Sequence, residues 1–205
     1  TALITLPTAG FGSLKARLFV LRRAFFKRQG NKVLEMWKLN GIDHEQCVRL
    51  IRESNKRLRI DKLYMDAAFS SYEYNTLKYE ISCEQIHFAQ AAPEEFRKDY
   101  ANMRAYIWFG LAEGVKHGLY VDEFELAPEL KRQMCSTTWL RDNSGRLLLI
   151  PKDDLRAVLK MSPDIGDAAA LTYVERYLGD DPKMEANLKE ISASKRKKAL
   201  RMMGD

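Results

Sequence analysis

The chain has 205 residues, of which 46% are hydrophobic and 30% charged, enough to bury the core of one globular domain. No apolar run approaches the roughly 20 residues that a transmembrane helix needs, so no membrane association is expected. The three cysteines are far apart in sequence, and the three histidines lack a metal-binding spacing. These patterns argue against a disulfide framework and against zinc or thiol chemistry.

Positive charge is concentrated near the C-terminal end. The formal net charge is +6, and residues 182–205 contain seven Lys or Arg against three acids, including an SKRKK run. Such a run can attract phosphate backbones, although it is more often a solvated helix face. We expect residues 1–180 to form the folded domain and residues 181–205 a basic C-terminal helix. Because the sequence starts at Thr1 without a signal-like segment, we expect a piece of a longer chain.

The first third of the chain is predicted to form a three-stranded meander followed by a helix. Residues 2–7 (ALITLP) form a short apolar run before a glycine-rich turn. Residues 15–25 and 32–39 are β-rich runs joined by a QGN turn. Asp43 has the spacing of a capping box and predicts a helix that ends near Arg59.

Two further strands and a long helix are predicted in the middle of the chain. Residues 63–69 (LYMDAAF) are almost continuously apolar, which is typical of a strand covered on both faces. Residues 83–89 form a second candidate strand. After Pro93, apolar residues at helical spacing predict an amphipathic helix to about Val115, and a short helix is predicted over 128–134. The alternation of strands and helices indicates an α/β fold with a mixed sheet.

The last third is predicted to contain a β-hairpin and helices. Residues 137–142 and 146–151 would pair around the Asn-Ser-Gly turn between them. The KDDLRAVLKM and SPDIGD segments each predict a helix, the second capped by Ser162 with Pro163 as its first residue. One stripe of that helix would contain Asp167, Leu171, Val174 and Leu178.

Asp167 and Asp66 therefore fall on surfaces that are predicted to be buried. An ionised carboxylate there costs several kcal/mol unless a cation or hydrogen-bond donors compensate it. Two alternatives stay open. Asp66 could end its strand and accept hydrogen bonds from turn amides. The helix macrodipole favours an Asp in the first turn, which would explain Asp164 entirely and Asp167 in part.

A central strand and a late helix packed over it would bring Asp66 and Asp167 together. Their natural partner is a hard cation, Mg²⁺ or Mn²⁺, whose remaining ligands could be phosphate oxygens. Two such ions about 4 Å apart would activate a water for phosphodiester cleavage.

The segment 102–172 resembles the nuclease domain of the large terminase subunit of tailed bacteriophages. The resemblance is carried by NMRAYIW, the hairpin, IPKDDLRAVLK and SPDIGDAAALT, and the upstream VLEMWKLNGID and LYMD segments are also similar to strands of that family. It covers roughly residues 2–177, and the SPDxxDA motif is its most specific part.

This resemblance implies a ribonuclease-H-like fold with a mixed central sheet flanked by helices and a hairpin insertion. It implies a metal-dependent endonuclease that cleaves concatemeric double-stranded DNA during genome packaging, with Mg²⁺ or Mn²⁺ as cofactor. By matching positions, Asp66 and Asp167 are the expected catalytic metal ligands, and Asp164 is a third contributor. The implied partners are double-stranded DNA, an N-terminal ATPase domain, the small terminase subunit and the portal ring. The implied location is the cytoplasm of the infected bacterium.

The sequence departs from the family where the first strand should end in a metal-binding Asp. Pro7 or Thr8 stands at that position, and no acid occurs before Glu35. Either the alignment is wrong, another carboxylate substitutes, or the domain binds metal weakly. The chain also contains no GxxxxGK[ST] loop, so the ATPase activity is expected on a separate domain.

Contacts to DNA are expected to involve phosphates, since a packaging cut must tolerate most sequences. Lys152, Arg146 and Arg104 are the first candidates, although Arg104 could instead anchor its helix to the sheet. The main rival interpretation is an inactive DNA-guiding or portal-docking module of the same fold. Another ribonuclease-H-like nuclease, such as a junction resolvase or a transposase, is a third.

Overall fold

A five-stranded mixed sheet forms the centre of the molecule. The computed structural model describes residues 16–21, 24–121 and 123–175. The sheet order is β3-β2-β1-β4-β5, with β1 antiparallel to β2, β2 antiparallel to β3, and β4 parallel to both β1 and β5. Its strands are β1 Ala16–Leu21, β2 Ala24–Gln29, β3 Lys32–Lys38, β4 Lys62–Asp66 and β5 Cys83–Ile86.

Helices cover both faces of this sheet. The helices are α1 His44–Arg57, α2 Ser71–Leu77, α3 Met103–Lys116, α4 Ala127–Ser136, α5 Lys152–Leu159 and α6 Asp164–Leu171. On one face, α1 and α2 pack against Leu63 and Met65 of β4. On the other face, α3 and α6 pack around Tyr64. Because side chains alternate along a strand, Asp66 lies on the same face as Tyr64.

Most of the predicted elements are present in the described residues. The helix at Asp43 has both hydrogen bonds of a capping box, from the Gln46 N–H to Asp43 Oδ1 at 2.7 Å and from the Asp43 N–H to Gln46 Oε1 at 3.1 Å. The hairpin forms from β6 Trp139–Arg141 and β7 Leu147–Leu149. The strands β4 and β5 and the helices α4 and α5 lie within or near their predicted ranges.

The predicted single strand over 15–25 is wrong. In its place β1 ends at Leu21 and β2 begins at Ala24, and these two residues pair across an antiparallel ladder. No Gly, Pro or Asn marks this reversal in the sequence, so the apolar pattern hides it. The predicted strand over 2–7 and the predicted helix over 181–205 lie outside the described residues.

Two helix starts were also predicted wrongly. The long helix begins at Met103 rather than after Pro93, because the Asn102 side chain caps it by accepting the Ala105 N–H at 2.9 Å. Before it, Tyr100 forms a β-bridge to Leu147. The other error concerns Ser162, which is not the cap of α6.

The helix α6 begins at Asp164, and Pro163 occupies its cap position without a side-chain hydrogen bond. In addition, α2 has no counterpart among the predicted elements. No helix in the described ranges is long and apolar enough to cross a membrane.

Two adjacent basic residues of β2 hold helices on opposite faces of the sheet. Lys27, fully buried, donates from Nζ to the carbonyl oxygens of Ser54 at 3.0 Å and Leu58 at 2.6 Å, at the C-terminal end of α1. Arg28, also fully buried, donates from Nε to the Thr172 hydroxyl at 2.6 Å, at the C-terminal end of α6. Cations are favourable at helix C-termini because the last carbonyls carry partial negative charge.

Candidate active site

Asp66 is the last residue of β4 and is only 5% exposed. Its Oδ1 accepts a hydrogen bond from the Ala68 N–H at 3.0 Å, and the Ser70 hydroxyl donates to its main-chain carbonyl at 2.6 Å. Within the described ranges, Oδ2 accepts no hydrogen bond. The turn after β4 therefore satisfies one carboxylate oxygen, and the other is left for a further partner.

Asp167 lies in the first turn of α6 and is fully buried. The indole N–H of Trp108 donates to its Oδ1 at 2.9 Å. The Lys152 ammonium approaches Oδ2 at 2.6 Å as an ion pair without hydrogen-bond geometry, and Arg104 Nε lies 4.0 Å from Oδ1. Lys152 thus supplies positive charge that compensates the buried carboxylate of Asp167.

The predicted stripe beyond Asp167 is shorter than expected. Leu171 is fully buried and is the last residue of α6. Val174 follows the helix and is half-buried, while Leu178 lies outside the described residues. The helix α6 packs chiefly against β1, β2 and α3, rather than directly over β4 as predicted.

Asp66, Asp167 and Lys152 belong to one electrostatic cluster, here called the Asp66/Asp167 site. Burial raises the pKa of Asp66 above its ordinary value, and the negative charge of Asp167 raises it further. The Ala68 N–H, Lys152 and His87 act in the opposite direction. Because the charge of Asp167 disfavours ionisation of Asp66, a cation bound here would stabilise both carboxylates in their ionised form.

The three basic residues predicted to contact DNA have different surroundings. Lys152 begins α5 and lies within the Asp66/Asp167 site, with its ammonium 5.4 Å from the centre of the Phe88 ring. Arg146 is held inside the hairpin by Asp142, with Nε 2.8 Å from Oδ2. These two side chains keep some exposure to solvent, so a phosphate could reach them.

Arg104 is 9% exposed and lies behind the site. Its NH1 donates to the Ile150 carbonyl at 3.0 Å, while Nε and NH2 make no hydrogen bond to any described residue. Burial lowers its pKa, and Asp167 opposes that effect. This placement favours the alternative in which Arg104 anchors α3, here to the residue before Pro151, over direct contact with DNA.

The site offers carboxylate oxygens, which are the type of ligand that a hard divalent cation prefers. Asp66 and Asp167 supply carboxylates, whereas the half-buried Asp164 takes no part in the ion pairs around Asp167. Mg²⁺ commonly binds one or two carboxylates and completes its shell with water and substrate phosphates. No group of three or more His, Cys, Asp or Glu suited to a metal occurs in ranges 16–21, 24–121 and 123–175.

Two strands lie beside β4. One is β5, whose Glu84 forms an ion pair with Lys62 at 3.0 Å. The other is β1, where a further carboxylate was sought; it pairs Val20 with Met65 and contains no acid. The expectation that Pro7 or Thr8 stands at this position concerns residues outside the described ranges.

Two residues of the site were missed at the level of sequence. Trp108 lies one helical turn after Arg104, and this i, i+4 spacing could have placed both on the face of α3 that meets α6. Gln133 of α4 is fully buried, and its Oε1 accepts the Gly166 N–H at 2.7 Å. No local pattern in the sequence identifies that contact, since it joins two helices 33 residues apart.

No known family model matches the sequence, and no curated protein does. Solved structures do match. The nuclease domain of the large terminase subunit gp2 of bacterial virus Sf6, a mutant with manganese and β-thujaplicinol, has a TM-score of 0.60 at 16% identity over 78% of this chain and 86% of that chain. A second structure of the Sf6 gp2 nuclease domain has a TM-score of 0.58 at 15% identity, covering 80% of this chain and 87% of that chain.

The large terminase nuclease from thermophilic phage G20c has a TM-score of 0.53 at 11% identity, over 78% of this chain and 81% of that chain. At sequence identities this low, the structural match supports a shared fold but not a shared activity. The chain therefore has the ribonuclease-H-like fold of large-terminase nuclease domains, which confirms the predicted fold and the resemblance on which it was based.

Proposed function

We propose that this chain is a divalent-metal-dependent endonuclease domain of a viral DNA-packaging terminase. The observation that carries the proposal is the buried pair Asp66 and Asp167, far apart in sequence and electrostatically coupled on one face of a ribonuclease-H-like sheet. Lys152 beside them adds the positive charge that a phosphate backbone needs. The substrate would be concatemeric double-stranded DNA.

The two aspartates would hold Mg²⁺ or Mn²⁺ through their carboxylate oxygens. When bound, such an ion supplies positive charge that activates water and stabilises the leaving oxygen of a phosphodiester. Asp66 Oδ2 accepts no hydrogen bond from a described residue and is the oxygen most readily offered. Burial of both side chains keeps bulk water away from the charges and so strengthens their effect.

Lys152 would act in two ways. With no cation present, its ammonium compensates the charge of Asp167. If a cation compensated that charge instead, the Lys152 ammonium would be available to contact a phosphate oxygen of the DNA. Its side chain is 26% exposed, which leaves it room to turn from the carboxylate towards a ligand. Arg146 on the hairpin is a second candidate for contact with the backbone.

Other partners follow from the proposed packaging role. An ATPase domain would supply the force for DNA movement, and a small terminase subunit and a portal ring would select and receive the DNA. All of this would take place in the cytoplasm of the infected bacterium.

Cleavage of supercoiled plasmid with Mn²⁺ tests the proposal. We expect wild type to give nicked and linear products, and Asp66→Ala and Asp167→Ala to slow cleavage by roughly 100-fold or more, since each removes charge stabilisation worth several kcal/mol. Asp153→Ala is the matched control, because that carboxylate is 89% exposed on the neighbouring α5. Equal cutting by wild type and Asp66→Ala would exclude the proposal.

A DNA-guiding or portal-docking module is the second candidate function. It is favoured by the absence of an acid in β1, which leaves two carboxylates in the described part of the site. This module would retard the plasmid on a gel with or without Mn²⁺ and leave it intact. Preference for branched over linear duplex would instead indicate a resolvase.

A further inference from the structure

We propose that Trp108 is a positioning residue for Asp167, and that Gln133 holds the turn of α6 on which Asp167 stands. The inference rests on the proposed function, because it assigns to both residues the task of presenting Asp167 to a cation. Neither residue would touch the substrate.

The Trp108 indole is the side-chain donor that orients the Asp167 carboxylate. Its N–H lies 2.9 Å from Oδ1, and Trp108 is 5% exposed, so water does not compete for the bond. The two nearby cations contribute mainly charge. Lys152 forms an ion pair without hydrogen-bond geometry, and Arg104 is 4.0 Å away. Hydrogen bonds to ionised acceptors are strong and directional, and such partners tune metal ligands.

Gly166, the residue before Asp167, lets the indole lie directly on α6. A Cβ atom at this position would be 2.6 Å from Trp108 Cη2 and 3.2 Å from Gln133 Oε1. Carbon atoms do not approach to 2.6 Å without displacement, so any larger residue would push the indole away from Asp167.

Gln133 supplies the N-terminal cap that α6 lacks. Pro163 gives no side-chain hydrogen bond, and the Gly166 N–H donates instead to Gln133 Oε1 at 2.7 Å. The amide of Gln133 is oriented in turn, because its Nε2 donates to Glu129 Oε1 at 2.8 Å. The same oxygen accepts a hydrogen bond from Lys38 at 2.7 Å. A partly buried chain of contacts thus runs from β3 through α4 to the first turn of α6.

Binding of Mn²⁺ to the purified chain, measured by electron paramagnetic resonance without DNA, tests the role of Trp108. We expect Trp108→Phe to weaken binding by roughly 10- to 100-fold, the range typical of lost partners of metal ligands. Trp139→Phe is the matched control, since Trp139 lines the same shallow groove as Trp108 but is 55% exposed. Binding by Trp108→Phe within twofold of wild type, or an equal loss in Trp139→Phe, would overturn the proposal.

A double-mutant cycle separates positioning from general damage. Gly166→Ala should weaken Mn²⁺ binding in the wild-type background, where the new methyl meets Trp108. It should have a smaller effect in the Trp108→Phe background, because phenylalanine lacks the Cη2 atom and the 3.2 Å approach to Gln133 Oε1 remains. Equal effects in both backgrounds would contradict the proposed seating of the indole. Thermal unfolding of each variant checks that it is folded.

The Trp108 contact can also be tested without any metal, so that its failure is distinct from failure of the proposed function. In a spectrum of ¹⁵N-labelled tryptophan, Asp167→Asn should shift the Trp108 indole resonance and leave that of Trp139 in place. An unmoved Trp108 resonance would refute the inference even if wild type binds Mn²⁺. Absence of Mn²⁺ binding and plasmid cleavage in wild type would refute the proposed function, whatever the spectrum gives.

Discussion

The helices α1 and α6 lie on opposite faces of the sheet. Their C-terminal ends are held by the same kind of contact, whereas their N-terminal ends are capped in different ways. Each has its C-terminal end bound by a buried cation of β2, Lys27 or Arg28. At the N-terminus, α1 has a capping box made from its own residues. The N-terminus of α6 has no side-chain cap of its own and receives Gln133 from another helix. The position of Asp167 thus depends on tertiary contacts.

The two regions also differ in how well their buried charges are satisfied. Lys27 donates to two carbonyl oxygens and to the Ser54 hydroxyl at 3.1 Å, which uses all three of its N–H groups. Around Asp167, by contrast, two nitrogens of Arg104 find no hydrogen-bond acceptor among the described residues. The fold alone thus satisfies the buried charge of Lys27, whereas hydrogen-bonding capacity is left over beside Asp167.

The largest expected effect on stability comes from removing the charge at the start of α6. Asp167→Ala should lower the free energy of unfolding by about 3 to 5 kcal/mol, because Arg104 would then be buried without a counter-charge. Urea denaturation measures the change. The exposed Asp153→Ala should stay within about 0.5 kcal/mol of wild type, and an equal loss there would contradict the distinction between the two carboxylates.

Removing the cation beneath α1 should have the next largest effect. Lys27→Met keeps the length of the side chain but leaves the Ser54 and Leu58 carbonyls without their donor, at a cost of about 1 to 3 kcal/mol. Hydrogen exchange should accelerate at the C-terminal turn of α1. Unchanged exchange there would mean that Lys27 does not secure the helix end.

The two N-termini should respond differently to loss of a nearby polar side chain. Asp43→Ala removes the α1 cap and should cost about 1 kcal/mol. Ser162→Ala should change stability by less than about 0.5 kcal/mol, because Ser162 does not cap α6. Thermal or urea unfolding measures both, and a cost for Ser162→Ala as large as that for Asp43→Ala would restore Ser162 as a cap.

The subtlest expected effect is a dependence on pH. The pKa of Asp66 is raised in the folded chain, chiefly by burial, so its contribution to stability is fully present below the usual pKa of 3.8 and is lost as pH rises through the folded value. Asp66→Asn cannot ionise and should gain stability relative to wild type as pH rises towards neutrality. Urea unfolding from acid to neutral pH measures this, and the opposite trend would mean that Asp66 is stabilised as an anion.

Features that depend on near neighbours in the chain were predictable. The Asp43 capping box, the hairpin turn at Gly145 and the buried strand containing Asp66 all follow from spacing over a few residues. The start of α3 at Met103 was missed although Asn102 is a typical cap residue, and the contact that holds Tyr100 out of the helix is with the distant Leu147. The helical spacing of apolar residues thus begins before Met103, upstream of the true start of the helix.

By itself, the sequence determined the α/β class, the existence of most of the helices and strands, and the two aspartates whose burial needed an explanation. Local hydrogen bonds and the periodicity of apolar residues carry that information. Only the tertiary structure decided that Lys152 pairs with Asp167, that Trp108 orients it and that Gln133 supports its helix. Those contacts join residues that share no sequence neighbourhood, and they exist only once the faces of separate helices have packed together.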